Sequence, residues 1–265
     1  MKTNDVFDIK RFTLLFRQNL IHHYRIILTS VIAVSGGLFL LLMFNQMVNR
    51  FNPWRYQQFI GLFMALSAIL GIIYMGMAFP GLRSKERSYS FLLIPSSTFE
   101  KYLFEIINRI ILFIIVFPIL YWIIFNLEGN LMRLLQPGFE FRSYGFLNHE
   151  LPWFHEAPGN KVWMAIIVIN AVLMMYLVPF TGAASFMKHP LLKTFLALAV
   201  LLFFNLLLLS MFKNILGLGE NMGDNHQFLF ISTKEQALRF AGTYTMLINV
   251  GLLVASYFKL KEKGA

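Results

Sequence analysis

The chain contains no cysteine in its 265 residues. That excludes disulfides, thiolate metal sites and cysteine nucleophiles, while leaving the redox compartment open, because many proteins of oxidising compartments also lack the residue. Charge is scarce as well: Asp, Glu, Lys and Arg make up 14% of the residues, against about 25% in a soluble globular domain. No Gly-x-x-x-x-Gly-Lys-Ser/Thr stretch is present to cradle a phosphate, so ATP hydrolysis is not expected of this chain. Ionisable side chains are missing from the middles of the long apolar runs, where ion-coupled transporters and proton pumps keep them, and no inverted sequence repeat is recognisable. The alternating segments of about 10 residues that mark a membrane β-barrel are also lacking.

What remains is apolar. Hydrophobic residues make up 57% of the chain and its mean hydropathy is +0.62. The 29 Phe and 14 Met are spread along the whole length, which argues against a soluble domain on a single anchor and against a secreted or disordered chain. Runs long enough to cross about 30 Å of hydrocarbon place six spans near 26–48, 59–80, 106–127, 162–182, 193–213 and 241–258. The expected fold is an all-α integral membrane protein, one transmembrane domain over residues 1–265 with both termini on the same side. The first two dozen residues are too polar for a signal peptide, and no small-x-small site follows the first apolar run, so no cleavage is expected.

Orientation follows from the positive charge. Of the 23 Lys and Arg, 15 fall on one face of this layout: Lys2, Lys10, Arg11, Arg17, Arg25, Arg83, Lys85, Arg87, Lys101, Arg109, Lys188, Lys193, Lys259, Lys261 and Lys263. Such an excess marks the cytoplasmic side, so both termini are expected inside, in a multi-pass protein of the inner (plasma) membrane. The net charge of +10 is then a consequence of topology and implies no nucleic-acid partner. Trp54, Trp122, Trp153 and Trp163 fall at or beyond the other ends of the spans, where an amphipathic ring sits at headgroup level. The outer face receives the loops 128–161 and 214–240; the inner face receives a long connection, 81–105, and a short one, 183–192.

Before the first span, Ile9, Phe12, Phe16 and Leu20 recur at spacings of three and four beside Lys10, Arg11 and Arg17. That pattern predicts an interfacial elbow helix over residues 1–25, lying on the cytoplasmic leaflet. The connection 81–105 reads RSKERSYSFLLIPSSTFEK over Arg83 to Lys101, and Ser97 stands three residues before Glu100, a capping box that predicts a helix start at Thr98. From Thr98 to Leu127 only Pro118 interrupts the helical run. A continuous helix there is about 45 Å long, more than the membrane needs. Glu100, Lys101, Glu105 and Arg109 lie on its first turns, with i,i+4 pairs between Lys101 and Glu105 and between Glu105 and Arg109; these read either as a solvated face or as a docking surface.

These residues carry a resemblance. Lys85-Glu86-Arg87 after the second span, then Phe91-Leu92-Leu93-Ile94-Pro95-Ser96-Ser97 and a helix leading into the third span, resemble the first cytoplasmic loop of the transmembrane permease subunits of the type-2 ABC exporter family. Ser88-Tyr89-Ser90-Phe91 stands where that family carries Gly-Thr-Leu-Glu, and the spacing to the proline is shorter. The family's layout is also matched: an elbow helix, six spans, and an outer segment before the last span that dips into the membrane. The 214–240 stretch, with Gly217, Gly219 and Gly223 and then Phe228-Leu229-Phe230-Ile231, fits such a re-entrant element or a plain surface loop. The resemblance implies a non-enzymatic subunit forming the translocation pathway as a homodimer or heterodimer of permease chains in the lipid bilayer. Separate ATP-binding-cassette ATPase subunits would dock on the coupling loop through Arg83, Lys85, Glu86, Arg87, Ser97, Glu100 and Lys101. The competing expectation is a membrane scaffold or regulatory subunit that transports nothing.

No cofactor or metal is expected. His149-Glu150 and His155-Glu156 in the outer loop lack the HExxH spacing and a third ligand, and His22-His23 reads as a surface pair. Phe139, Phe141, Tyr144, Phe146, Trp153 and Phe154 suggest a compact outer segment on the headgroup region. Asn170, Tyr176, Thr181, Asn205 and Asn249 lie inside spans and need partners on neighbouring helices.

Overall fold

The computed structural model describes residues 7–49, 54–82, 96–136, 139, 141, 143–146, 158–186, 188–215 and 234–264. All regular structure among them is helical: α1 (Ile9–Val48), α2 (Tyr56–Gly76), a 3₁₀ turn at Pro80–Leu82, α3 (Thr98–Glu105), a π-helical stretch at Ile106–Ile111, α4 (Leu112–Leu135), α5 (Pro158–Ser185), α6 (Pro190–Ile215) and α7 (Lys234–Gly264). Five stretches are long and apolar enough to cross a membrane: Tyr24–Val48, Tyr56–Gly76, Thr98–Leu135, Asn160–Ser185 and Glu235–Lys263. The chain is thus an all-α, multi-pass membrane protein. Within α6 the described apolar stretch is Pro190–Phe204.

The helices group into two compact units, one formed by residues 1–74 with 92–150, the other by 75–91 with 151–265. In the first unit, α1 begins at the N-cap Asp8, whose carboxylate accepts from the Lys10 amide at 2.8 Å. It then runs 40 residues without interruption, about 60 Å at the α-helical rise. The expected elbow is therefore helical but not a separate helix: nothing between residues 20 and 30 breaks the backbone ladder, because that stretch holds no Gly or Pro.

The α3–π–α4 run forms one rod from Thr98 to Leu135. Contacts along it set the helix directions. Asp8 and Arg11 of the N-terminal end meet Glu100, Phe16 meets Phe104, and Leu42 joins the cluster that contains Tyr121 and Phe125, so α1 and the rod run parallel. Phe59 packs on Phe125, Phe63 on Phe117, and Tyr74 on Phe113, so α2 runs antiparallel to the rod. The π stretch lies opposite Tyr74, whose hydroxyl donates to the Asn108 carbonyl at 3.2 Å, a backbone oxygen of the kind that a wider turn displaces from its own ladder.

The second unit has the same directional pattern at its ends. Trp163 of α5 lies against Gly242 of α7, Asn170 against Asn249, and Ala184 against Lys263. Partner numbers rise together, so α5 and α7 lie parallel and adjacent. Asn249 Nδ2 donates to both the carbonyl and the side-chain oxygen of Asn170, each at 2.9 Å, and Thr181 Oγ1 donates to the Leu252 carbonyl at 3.2 Å; these are the neighbouring-helix partners that polar residues in spans require. Lys263 Nζ donates to the carbonyls of Ala184 and Ser185 at 2.5 and 3.0 Å, placing a cation at the negative end of α5. The α5–α6 turn is tight: His189 sits at φ 50, and a Cβ on Gly182 would lie 1.7 Å from Thr194 Oγ1. Only a residue without a side chain allows that approach.

Candidate functional site

Two places in the first unit concentrate polar chemistry. One is the start of the rod. The capping box forms as its sequence predicts: the Glu100 amide donates to Ser97 Oγ at 3.1 Å, and the Ser97 amide donates to Glu100 Oε2 at 2.8 Å. The other carboxylate oxygen has a long-range role. Glu100 Oε1 accepts from the Asp8 amide at 2.7 Å and lies 3.2 Å from the Arg11 guanidinium. One carboxylate therefore caps the rod and ties it to the first turn of α1. Around it, Phe99 meets Phe7 edge-on at 6.3 Å and Phe104 meets Phe16 at 5.5 Å, so part of the predicted apolar stripe of α1 faces the rod. Ile9 and Leu20, in the same stripe, are exposed.

This alters the reading of the expected docking residues. Glu100 is fully enclosed and Lys101 is buried; neither is displayed on a surface. Ser97 is engaged in the cap. Glu105 and Arg109 pair at 3.4 Å as their spacing predicts, but Glu105 is buried and the guanidinium lies over the Tyr74 ring at 4.6 Å, so this face is packed against α2 rather than solvated. Arg83, Lys85, Glu86 and Arg87 lie outside the described residues.

The second place is the Leu135 end of the same rod. The helix continues two turns beyond the span predicted to end at 127, and so carries Glu128, assigned from sequence to an outer loop, into a fully buried position. Trp54 Nε1 donates to Glu128 Oε2 at 3.1 Å. Trp54 is itself buried, packed on Phe125 at 5.0 Å, as part of the aromatic core of this unit. Over this cluster lies the short stretch around Tyr144, pinned to the rod by its backbone. The Tyr144 amide donates to Asn126 Oδ1 at 3.0 Å, and its carbonyl accepts from Trp122 Nε1 and Asn126 Nδ2 at 2.8 and 3.0 Å. The Tyr144 hydroxyl donates to the Trp54 carbonyl, and Phe141 sits where a Cβ on Gly129 would be. Of the aromatic residues read as one compact segment, Phe139, Phe141, Tyr144 and Phe146 gather on α2 and α4, while Trp153 and Phe154 lie outside the described residues.

Sequence reasoning missed Glu128 because the helix end was placed one residue before it. The signal available was the absence of any Gly or Pro between Pro118 and Gly129, and of a capping residue at 127. Among the described residues no group of three or more His, Cys, Asp or Glu side chains is placed to hold a metal. The 149–156 pairs, Trp153 and the 216–233 stretch lie outside the described residues, as do the side chains of His22, His23 and Asn205. No family model, curated protein or solved structure matches the chain.

Proposed function

We propose that this chain is the membrane-spanning permease subunit of an ABC-type exporter, forming the pathway with a second permease chain and driven by separate ATPase subunits that dock on the 81–105 loop. The observation that carries the proposal is the Glu100 node. A docking loop is useful to a transporter only if its displacement reaches the membrane. Here the loop exits at Ser97 into a capped rod of 38 residues, and the same carboxylate fastens that rod to α1. A push at this point moves two apolar helices together, the rigid-body coupling that an external motor needs.

Six crossings with both termini inside fit the helix directions. Adjacent parallel helices joined through the chain require an odd number of return crossings between them. In the first unit α2 makes the return between α1 and the rod; in the second, α6 is the segment available between α5 and α7, starting beside the end of α5 at Thr194. On this reading Arg83, Lys85, Glu86 and Arg87 make the contact with the ATPase, while Ser97, Glu100 and Lys101 hold the exit of the loop in position. The Ser97 end then faces the cytoplasm, which agrees with the Lys and Arg bias, and the N-terminal part of α1 packs on α3 there instead of lying apart as an elbow.

The proposal is tested by extracting the tagged protein from its native membrane in mild detergent and identifying co-purifying chains by mass spectrometry. A stoichiometric partner with a phosphate-binding loop and ATPase activity in the complex is expected. An intact, monodisperse protein that brings no such partner would overturn the reading in favour of a scaffold or regulatory subunit.

A further inference from the structure

We propose that the space between α1 and the rod binds one phospholipid, an acyl chain lying along α1 into a cavity at mid-membrane and an anionic headgroup held by Arg25. The inference stands apart from the exporter reading: it requires only that both helices cross a membrane.

α1 is fastened to the rod at two places and stands away from it between them. Near its start, Arg11 lies 3.2 Å from Glu100 and Phe16 meets Phe104 at 5.5 Å. Further on, Leu38 and Leu42 are buried, the latter in the cluster with Tyr121 and Phe125. From Tyr24 to Val34 every residue is exposed. That stretch makes about three helical turns, and a helix packed on a neighbour buries one face over such a length. A Cβ added at Gly36 or Gly37 would meet nothing within 4 Å.

Where the two helices converge, they enclose a cavity of about 340 Å³ lined by Ser35 of α1 and by Val116, Ile119, Leu120, Ile123 and Ile124 of the rod. Leu112 and Ile115, each four residues before a lining residue and so on the same face, are exposed and extend the aliphatic wall towards the start of the rod. Ser35 stands near the middle of the span Tyr24–Val48, so the cavity opens within the hydrocarbon, where its occupant is a lipid chain or another helix. Size decides between them. A helix is about 10–12 Å across and one turn is about 5.4 Å long, so a single turn fills more than about 400 Å³ and exceeds the cavity. One acyl chain is narrow enough to enter, and its methylenes match the aliphatic walls.

Depth and charge give the headgroup. Arg25 precedes Ser35 by ten residues, about 15 Å at the α-helical rise, which is half of the roughly 30 Å hydrocarbon thickness. A chain whose end reaches the cavity therefore carries its phosphate at the level of Arg25. That side chain is exposed, and its Nε donates to the Tyr24 hydroxyl at 2.9 Å, which orients the guanidinium. The two terminal nitrogens form the fork that takes a pair of phosphate oxygens. A headgroup with net negative charge is favoured there, because a zwitterionic one brings its own cation to the same place.

The full chain, purified in mild detergent and freed of lipid, is titrated with phosphatidylglycerol or with phosphatidylcholine of the same acyl chains, and bound lipid is counted by native mass spectrometry. One equivalent is expected to bind ahead of all others, with phosphatidylglycerol preferred about fivefold, the attraction that one cation near the membrane surface provides. Ser35→Phe, which fills the cavity with an apolar ring, is expected to abolish that first equivalent. Arg25→Gln is expected to keep it and lose the headgroup preference. Thermal melting checks that each variant is folded, and the parent with Arg25→Gln decides the matter if Ser35→Phe is not. Graded binding with no first equivalent, a first equivalent that persists in folded Ser35→Phe, or a preference that survives Arg25→Gln overturns the proposal. A lipid-free dimer of the chain that Ser35→Phe dissociates would also overturn it, by assigning the cavity to a second copy.

Discussion

At the residue scale, the same residue type plays two different roles at the two ends of one rod. Glu100 collects two backbone amides and a guanidinium, so it is a charged group fully supplied with donors. Hydrogen bonds to a charged group contribute about 1.5–3 kcal/mol each when removal leaves a buried partner unsatisfied. Glu100→Ala is therefore expected to lower the thermal stability of the detergent-solubilised protein by about 2–3 kcal/mol, and Glu100→Gln by less, because the amide oxygen still accepts one bond. Loss of stability would also reduce any association with a partner, so only Glu100→Gln, with folding checked by thermal melting, separates positioning from packing. In the second unit, the Asn249 amide bonds to Asn170 resemble Glu100 on a contact map but carry no charge. Polar contacts between membrane helices average about 0.6 kcal/mol, since the separated helices find other partners; Asn249→Ala is expected to cost under about 1 kcal/mol in the same melting assay.

At the element scale, the start of the rod was readable from sequence and its end was not. The Ser97–Glu100 box is a local signal over four residues, and the helix begins at Thr98 as it predicts. The end of α4 had no such signal, because neither Leu127 nor Leu135 is a capping residue, and hydropathy marks where an apolar run stops rather than where the hydrogen-bond ladder stops. Burial of Glu100 was not readable at all: its partners Asp8 and Arg11 lie about 90 positions away, a pairing that only the packing of α1 on the rod creates. Likewise the small-residue requirement at Gly182 comes from Thr194 on the next helix. Gly182→Ala is expected to destabilise the protein by about 1–3 kcal/mol, since a Cβ there overlaps a side chain and forces the two helices apart. Gly129→Ala differs: it meets the far edge of the Phe141 ring, so the expected effect is greater protease sensitivity around residues 139–146, read by limited proteolysis, with a smaller loss of overall stability.

At the scale of the whole molecule, the sequence identified an all-helical membrane chain through its missing charge and its recurrent apolar runs. It did not reveal the division into two units, nor the parallel pairing of first and last helices within each, because both are properties of packing between segments far apart in the chain. The exporter reading makes the two ends of the rod functionally unequal: the loop before Ser97 receives a motor, and the Tyr144 end does not. The most direct measurement is site-specific photo-crosslinking in native membranes, with the crosslinking residue placed at Arg87 in one protein and at Gly145 in another. The account predicts a crosslinked chain containing a phosphate-binding loop from position 87 and none from position 145. Failure to capture such a chain at position 87, or its capture equally from both positions, would contradict it.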